Sequence, residues 1–289
     1  MALLDRVQLH QQHQQALLSL LQEFDRVCKK LDIPYVLFAG TMLGAVRHQG
    51  FIPWDDDLDI LMLREDYLRF LQDAESVLDR ERFFLQKEFS QHWPMFFSKL
   101  RLNHTTCLEK YHPKDLQTHQ GIYIDIFPCD PGAKTALGRK IQFLASKVVI
   151  AKALGRRGYD TDSYKKKMFI GLCRLLPGGL FLKVTKCGRA DSALVHTFLG
   201  GASGYKKNVF PRKYVTERIE MPFEGDLYPV SRDYDALLQQ LYGEYMVLPP
   251  EDQRAIKRHA VLVDPHHSYE LYTHYRDGMH FDVYTRSIR

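Results

Sequence analysis

The sequence has few cysteines, no long uncharged apolar run and no leader-like N-terminus. Its 289 residues include five scattered cysteines without a C-x-x-C pair: Cys28, Cys107, Cys129, Cys173 and Cys187. An odd, dispersed set argues against a disulfide framework and against a zinc knuckle. No apolar run reaches the roughly 18 residues of a membrane span, and the first segment carries Asp5 where a signal peptide would be apolar. With 45% hydrophobic and 26% charged residues, we expect a globular, cytoplasmic protein.

Net positive charge is confined to one segment. Between Lys134 and Ala190 there are 14 lysines and arginines but only 2 acidic residues, a net charge of +12, whereas the whole chain carries +5. The remainder is therefore acidic, with a net charge of −7. Segregated charge favours an anionic partner such as nucleic acid, lipid headgroups or a phosphorylated substrate. A solvated helical surface without any partner is the alternative.

The hydrophobic periodicity predicts a mixed α+β fold with helices and strands in irregular alternation. The predicted helices cover 14–31, 65–78 and 231–242, with a short helix after Gly40 that has Thr41 available as its N-cap. The predicted strands cover 35–39, 57–63, 95–102 and 121–127, with further short strands near 208–224. We expect Pro128 to end the strand at 121–127.

A basic helical insertion interrupts this core. Three helices are predicted over about 136–153, 163–176 and 181–198, separated by Gly155 and by Pro177-Gly178-Gly179. The resulting division is a catalytic core at 1–132, the insertion at 133–200, and a C-terminal part at 201–289 that completes the core.

The stretch GFIPWDDDLDI at 50–60 places four carboxylates just before an apolar run. In a strand, Asp57 and Asp59 project from one face, while Leu58 and Ile60 face the core. Asp125 is a lone acid within the apolar strand GIYIDIF, and a buried carboxylate needs a partner. The three aspartates are candidates for holding a divalent cation.

A solvated turn with a salt-bridged Asp125 is the alternative for these three residues, and it is our preferred interpretation for Asp55 and Asp56. An EF-hand calcium loop does not fit, because the sixth position counted from Asp55 is Ile60 and not glycine.

A candidate phosphate site lies just upstream, in FAGTMLGAVRH at 38–48. The predicted order is a strand, a Gly-Thr turn and the start of a helix. The free backbone N–H groups at such a helix start can bind an anion. Gly40 permits close approach, Thr41 adds a hydroxyl, and Arg47 and His48 follow on the same helix. A phosphate site beside a divalent cation is the combination that phosphoryl transfer needs.

Gly40-Thr41 followed by Asp57-Leu58-Asp59 and a separate Asp125 resembles the nucleotidyltransferase superfamily. More narrowly, four segments in matching order resemble the LicD family, which includes the fukutin-type enzymes. They are AGTMLGAVRHQGFIPWDDDLDILMLREDY, FFSKLRLNHTT, GIYIDIFPCD and YGEYMVLPP, within about 31–132 and 219–260. The chain lacks the zinc-binding cysteine cluster of the family's animal members.

The resemblance implies a nucleotidyltransferase-like core sheet and a metal-dependent phosphotransferase. Such an enzyme moves phosphocholine, or a related phospho-alcohol, from CDP-choline or another CDP-alcohol and releases CMP. The acceptor would be a sugar hydroxyl of a cell-surface glycan, a lipopolysaccharide or a teichoic acid precursor, including lipid-linked ones. Asp57, Asp59 and Asp125 would be the catalytic residues and would hold Mg²⁺ or Mn²⁺.

The substrate-binding candidates are polar, cationic or aromatic residues near this centre: Gly40, Thr41, Arg47, His48, Trp54, Lys99 and Arg101. Lys99 and Arg101 alternate on one strand and are candidates for the transferred phosphate, with surface cations as the alternative. Trp54 is a candidate wall for a quaternary ammonium group, with core packing as its alternative. Tyr123, Tyr242 and Tyr245 are further candidates for an aromatic cage.

Three functions therefore compete: the phosphocholine transferase, a nucleotidyltransferase that releases pyrophosphate, and a non-catalytic module binding membrane or nucleic acid. The apolar and cationic insertion suits contact with the inner face of an anionic membrane. A helical lid over the active site is its alternative. No nucleic-acid-binding motif is present, so no nucleic acid partner is expected.

Overall fold

The computed structural model describes residues 3–109, 118–159, 161–200, 204–254 and 260–276. Its centre is a curled mixed sheet in the order β1-β2-β6-β4-β3, extended by β7 on β6 and by β8 on β7. These strands are β1 (Val36–Leu37), β2 (Asp59–Leu63), β3 (Phe83–Gln86), β4 (Ser98–Leu102), β6 (Tyr123–Pro131), β7 (Leu194–His196) and β8 (Val209–Pro211). The predicted mixed α/β class is confirmed.

Two strand pairs lie beside this sheet. The first joins β5 (Thr106–Glu109) to β11 (Ala260–Asp264), and the second is the hairpin β9 (Arg218–Phe223) and β10 (Asp226–Ser231).

Helices surround one main apolar core, and a small second apolar cluster lies between α4 and α5. They are α1 (Leu3–Leu31), α2 (Ala39–His48), α3 (Arg64–Asp73), α4 (Ala136–Arg156), α5 (Tyr164–Leu175), α6 (Gly178–Thr185), α7 (Lys213–Thr216) and α8 (Tyr234–Tyr242). On α1 the apolar side chains at three- and four-residue steps are buried, which explains why this helix packs against the sheet. Residues 255–259, within the family-like segment 219–260 and including His259, lie outside the described residues.

Several predicted elements are wrong in extent. Helix α1 begins at Leu3 and not at residue 14, and β2 begins at Asp59, so that Asp57 precedes the strand. Strand β6 does not end at Pro128 but continues to Pro131. The pairing of β4 with β6 reaches only Ile126, so beyond that point one edge of β6 is free of β4 and the missing proline N–H costs no bond there.

The predicted helix at 181–198 ends at Thr185, and residues 194–196 form strand β7. Gly188 explains the break, because a Cβ there would lie 1.9 Å from the carbonyl oxygen of Pro131. The chain therefore approaches β6 closely and pairs with it.

Among the described residues no single helix is long and apolar enough to cross a membrane. Helices α5 and α6 meet the length and composition of a span only together, and they bend by 99° at the break between them.

Candidate active site

Asp59 and Asp125 lie side by side on neighbouring strands. Strand β2 runs parallel to β6, and the register pairs Asp59 with Asp125. The Asp125 N–H donates to the Leu58 carbonyl at 2.9 Å, so the two backbones are locked together. Adjacent strands lie roughly 5 Å apart. The structure therefore brings the two predicted carboxylates to one place in the sheet.

The start of α2 lies against the same strand end. The Asp59 N–H donates to the Thr41 hydroxyl at 2.8 Å, and the Phe38 N–H donates to the Asp59 carbonyl at 2.9 Å. Thr41 is not the N-cap that we predicted, because the helix begins at Ala39 and Phe38 precedes it. Its side chain instead fixes the backbone of Asp59.

Gly40 permits the close approach that the sequence predicted, but to a carboxylate of the protein itself. A Cβ at this position would lie 2.8 Å from Oδ2 of Asp55. The helix N-terminus, which carries partial positive charge, thus faces an acidic side chain. The interpretation of Asp55 and Asp56 as a solvated turn is wrong for Asp56, which is buried.

Negative charge accumulates around Asp59. Burial raises its pKa well above the usual range, and the neighbouring charges of Asp57, Asp125 and Asp55 raise it further, while Lys99 lowers it. The site therefore has a charge imbalance that a bound cation would relieve.

Lys99 is the immediate partner of Asp125. Its Nζ lies 2.8 Å from Asp125 Oδ1 and 3.6 Å from Glu109 Oε1, and the residue is only 1% exposed. The ammonium also lies 3.1 Å from the centroid of the Tyr123 ring. Lys99 is thus enclosed beneath the acidic site, where the sequence suggested either a phosphate ligand or a surface cation.

Arg101 is held in the same buried network. Its Nε donates to Gln86 at 2.7 Å and one terminal nitrogen donates to the Gly121 carbonyl at 2.8 Å. The other terminal nitrogen lies 3.6 Å from Glu109. These contacts fix Arg101 in the core, so a surface position for it is wrong.

Arg47, His48 and Trp54 lie together at the far end of α2. Arg47 donates to the Tyr245 carbonyl at 2.6 Å and to the His48 ring at 3.0 Å. The His48 and Trp54 rings are 6.3 Å apart in an edge-on arrangement. Arg254 packs over Trp54, with 5.9 Å from its guanidinium carbon to the ring centroid.

The structure separates the three tyrosines that we considered for an aromatic cage. Tyr123 is buried under Lys99, and its hydroxyl donates to Glu109 at 3.1 Å. Tyr245 is buried and donates to Asp235. Tyr242 is about half exposed, and burial of its hydroxyl together with the charges of Asp59, Asp55 and Asp57 raises the pKa of that hydroxyl.

The donor set suits a hard divalent cation in its chemistry. Carboxylate oxygens are the ligands that Mg²⁺ and Mn²⁺ take in proteins, and the raised pKa of Asp59 shows that its negative charge is poorly compensated. Among the described side chains, however, no three histidine, cysteine, aspartate or glutamate residues are already grouped as a metal site. Cation binding at this site stays a prediction.

Two residues of this site escaped the sequence analysis. Glu109, at the end of β5, accepts from Tyr123 and faces Lys99, Arg101 and Arg157. Arg157, just beyond α4, lies 2.5 Å from Glu109 and packs over Trp93. A strand ending in TTCLE offered a weak signal for Glu109, whereas Arg157 was hidden among the many cations of the insertion.

Comparisons with known proteins agree with the predicted resemblance. Residues 32–147 match the family model described as LicD/FKTN/FKRP, nucleotidyltransferase domain. The chain is 27% identical over 276 residues to the lipopolysaccharide cholinephosphotransferase LicD of Haemophilus influenzae, covering 88% of this chain and 94% of that protein. An uncharacterised protein of Rickettsia typhi is 47% identical over 57 residues, which are 20% of this chain and 18% of that protein.

Proposed function

We propose that this chain, which carries a LicD-family domain, is an enzyme that transfers phosphocholine from CDP-choline to a sugar hydroxyl of lipopolysaccharide or a related surface glycan. The long alignment with a lipopolysaccharide cholinephosphotransferase supports the transferred group and the acceptor class. The observation that carries the chemistry is the pairing of Asp59 with Asp125 on parallel strands beside the start of α2.

In the proposed reaction the acceptor hydroxyl oxygen forms a bond to the phosphorus of the phosphocholine group. The bond from that phosphorus to the bridging oxygen breaks, and CMP leaves with the electron pair. As an alternative to holding a metal ion, Asp125 would orient the acceptor hydroxyl and accept its proton. The N–H groups at the start of α2 would hold the phosphates, and Arg47, at the other end of this helix, would contact the substrate only after leaving the Tyr245 carbonyl.

Asp57, Asp59 and Asp125 would hold Mg²⁺ or Mn²⁺. When bound, the ion would neutralise the charge that develops on the diphosphate as CMP departs. Thr41 fixes the Asp59 backbone through its hydroxyl, and Tyr242 would contact a substrate cation near Asp55, Asp57 and Asp59.

The decisive experiment follows the products of CDP-choline with a lipopolysaccharide acceptor, with Mg²⁺, with Mn²⁺ and with a chelator. We expect CMP release that depends on acceptor and metal. Asp59→Asn should lower the rate at least about 10³-fold, because several kcal/mol of charge stabilisation are lost. The exposed Asp226→Asn is the matched control and should retain the wild-type rate.

Two outcomes would contradict the proposal. Pyrophosphate release from CTP would show that a nucleotide moves instead of the phospho-alcohol. Failure of CDP-choline, CDP-ribitol, CDP-glycerol and CDP-ethanolamine alike to raise the melting temperature with Mg²⁺ would exclude a CDP-alcohol donor. A response to a CDP-alcohol other than CDP-choline would reassign the donor, with teichoic acid precursors as the next acceptors to test.

A further inference from the structure

Helix α5 exposes an apolar face. Tyr164, Met168, Leu172 and Leu175 follow the three- and four-residue steps of one helix side, and all four are exposed, Leu175 by 84% and Tyr164 by 77%. Phe169 extends this face on one side and is also exposed. We call these five residues the α5 face.

The opposite side of α5 anchors the helix to the rest of the insertion. Cys173 is buried against Val148 and Ala151 of α4, and Ile170 packs beside them. Lys152 of α4 donates to the carbonyls of Cys173, Arg174 and Leu176 at the end of α5. The helix therefore has its own packing surface, and the α5 face is not needed to hold it in place.

Exposed cations lie on the helical unit that carries the α5 face. Lys165, Lys166 and Arg174 belong to α5 itself, and Lys183 belongs to α6. The whole segment from Lys134 to Ala190 carries a net charge of +12, against −7 for the remainder. An apolar face on such a cationic unit complements a surface that is anionic outside and apolar within.

We propose that the α5 face docks the protein on the headgroup region of an anionic lipid bilayer. Charge and apolarity together favour lipid over a protein partner, and α5 with α6 also has the composition of a membrane-embedded pair. Their 99° bend and the anchoring of α5 on α4 place α5 along a bilayer surface, with its apolar side chains inserted among the headgroups.

Docking through α5 has a consequence for the candidate active site. Helix α4, on which α5 is anchored, ends beside Arg157, and Arg157 contacts Glu109 in the network around Lys99 and Asp125. The helical unit thus connects the bilayer surface directly with the site. If the proposed function holds, this arrangement brings the candidate active site close to an acceptor bound in the membrane. Docking on the bilayer does not itself require the transferase reaction.

Vesicle co-sedimentation of the full chain tests the proposal. We expect binding to vesicles of phosphatidylglycerol and phosphatidylcholine in equal amounts, much weaker binding to pure phosphatidylcholine, and loss of binding at 1 M salt. The variant Leu172→Ser/Leu175→Ser should bind the anionic vesicles at least about tenfold more weakly, because two inserted apolar side chains are lost. Lys165→Ser/Lys166→Ser should weaken binding to anionic vesicles only.

The matched control is Leu68→Ser/Leu227→Ser, two leucines that are exposed by 51% and 58% on other elements. This control should bind like the wild type. Equal binding by the α5 variant and the wild type, or no binding to anionic vesicles, would overturn the proposal whether or not CDP-choline is a substrate.

Sedimentation without lipid tests the other occupants of the α5 face. A wild-type dimer that Leu172→Ser/Leu175→Ser converts to a monomer would assign the face to a second copy of the chain. Vesicle binding that appears only after removal of residues 277–289 would assign the face to that segment. Either result would replace the lipid assignment for the full chain.

Discussion

The ammonium group of Lys99 is enclosed by one carboxylate at 2.8 Å and by three aromatic rings. The rings belong to Tyr123, Trp93 and Phe97, with centroids 3.1, 5.2 and 5.4 Å from Nζ. Burial lowers the pKa of Lys99, while Asp125 and Glu109 act in the opposite direction. The residue is thus a buried counter-charge for Asp125.

Replacing Lys99 should therefore destabilise the fold. In Lys99→Met the carboxylate of Asp125 loses its partner, and we expect the free energy of unfolding to fall by about 3–5 kcal/mol. Urea denaturation gives this value. The double variant Lys99→Met/Asp125→Asn should recover part of the loss, because no uncompensated charge remains at 125.

Lys29→Met is the control for Lys99. The exposed Lys29 pairs with Asp25 on α1. Loss of this exposed ammonium should change stability by less than about 1 kcal/mol, because Asp25 keeps its hydrogen bond from the Tyr35 hydroxyl. A Lys99→Met protein as stable as this control would show that Asp125 does not need the ammonium.

At the scale of elements, helix α2 packs directly against the loop that leads from Gly50 to Asp55, and a glycine makes this close contact possible. A Cβ on Gly44 would lie 2.4 Å from the carbonyl oxygen of Gly50, so the helix and the loop before Asp55 touch through backbone atoms. This contact sets the distance between the middle of α2 and the loop.

Gly44→Ala should lower the free energy of unfolding by about 1–3 kcal/mol, since helix and loop must move apart. Gly171→Ala in α5 is the matched helical control. A Cβ there meets no atom within 4 Å, so alanine should stabilise by roughly 0.5–1 kcal/mol through helix propensity. Equal effects of the two variants in urea denaturation would contradict the close approach at Gly44.

The sequence predicted most elements because their periodicity is local. The apolar steps of α1, α3 and α8 and the apolar runs of β2 and β6 each lie within one segment. It failed where a long-range contact decides the element. The helix predicted at 181–198 is cut short because residues 194–196 pair with β6 and β8, and local propensity does not encode such partners.

At the scale of the whole molecule, buried neutral histidines make stability depend on pH. His196 is 0% exposed, it lies 3.1 Å from the Thr185 carbonyl, and burial lowers its pKa from 6.5 to about 4 despite the nearby charge of Asp130. Burial likewise lowers the pKa of His119 to about 3.

An imidazole with a lower pKa in the folded state stabilises the fold fully above pH 6.5, and this contribution is lost as the pH falls from 6.5 towards 4. At pH 5 the loss from His196 is about 2 kcal/mol. His196→Gln, which can still donate to Thr185, should reduce the fall in stability between pH 7.5 and pH 5 by that amount.

Urea denaturation at both pH values measures the difference. The exposed His92→Gln is the control and should leave the pH dependence of the wild type intact. A pH dependence in His196→Gln as steep as that of the control would show that His196 does not titrate in this range.

The sequence by itself determined the fold class, the acidic strand end, the glycine-threonine turn before it and the segregation of positive charge into one helical insertion. Each of these features belongs to one short segment, so it can be recognised from neighbouring residues in the sequence. Only the tertiary structure decided that Asp59 pairs with Asp125 and that the buried Lys99 neutralises Asp125. It also decided that Arg157 of the insertion contacts Glu109 in the same network. The reason is that strand order and register join residues far apart in sequence, and many registers are compatible with the same local pattern.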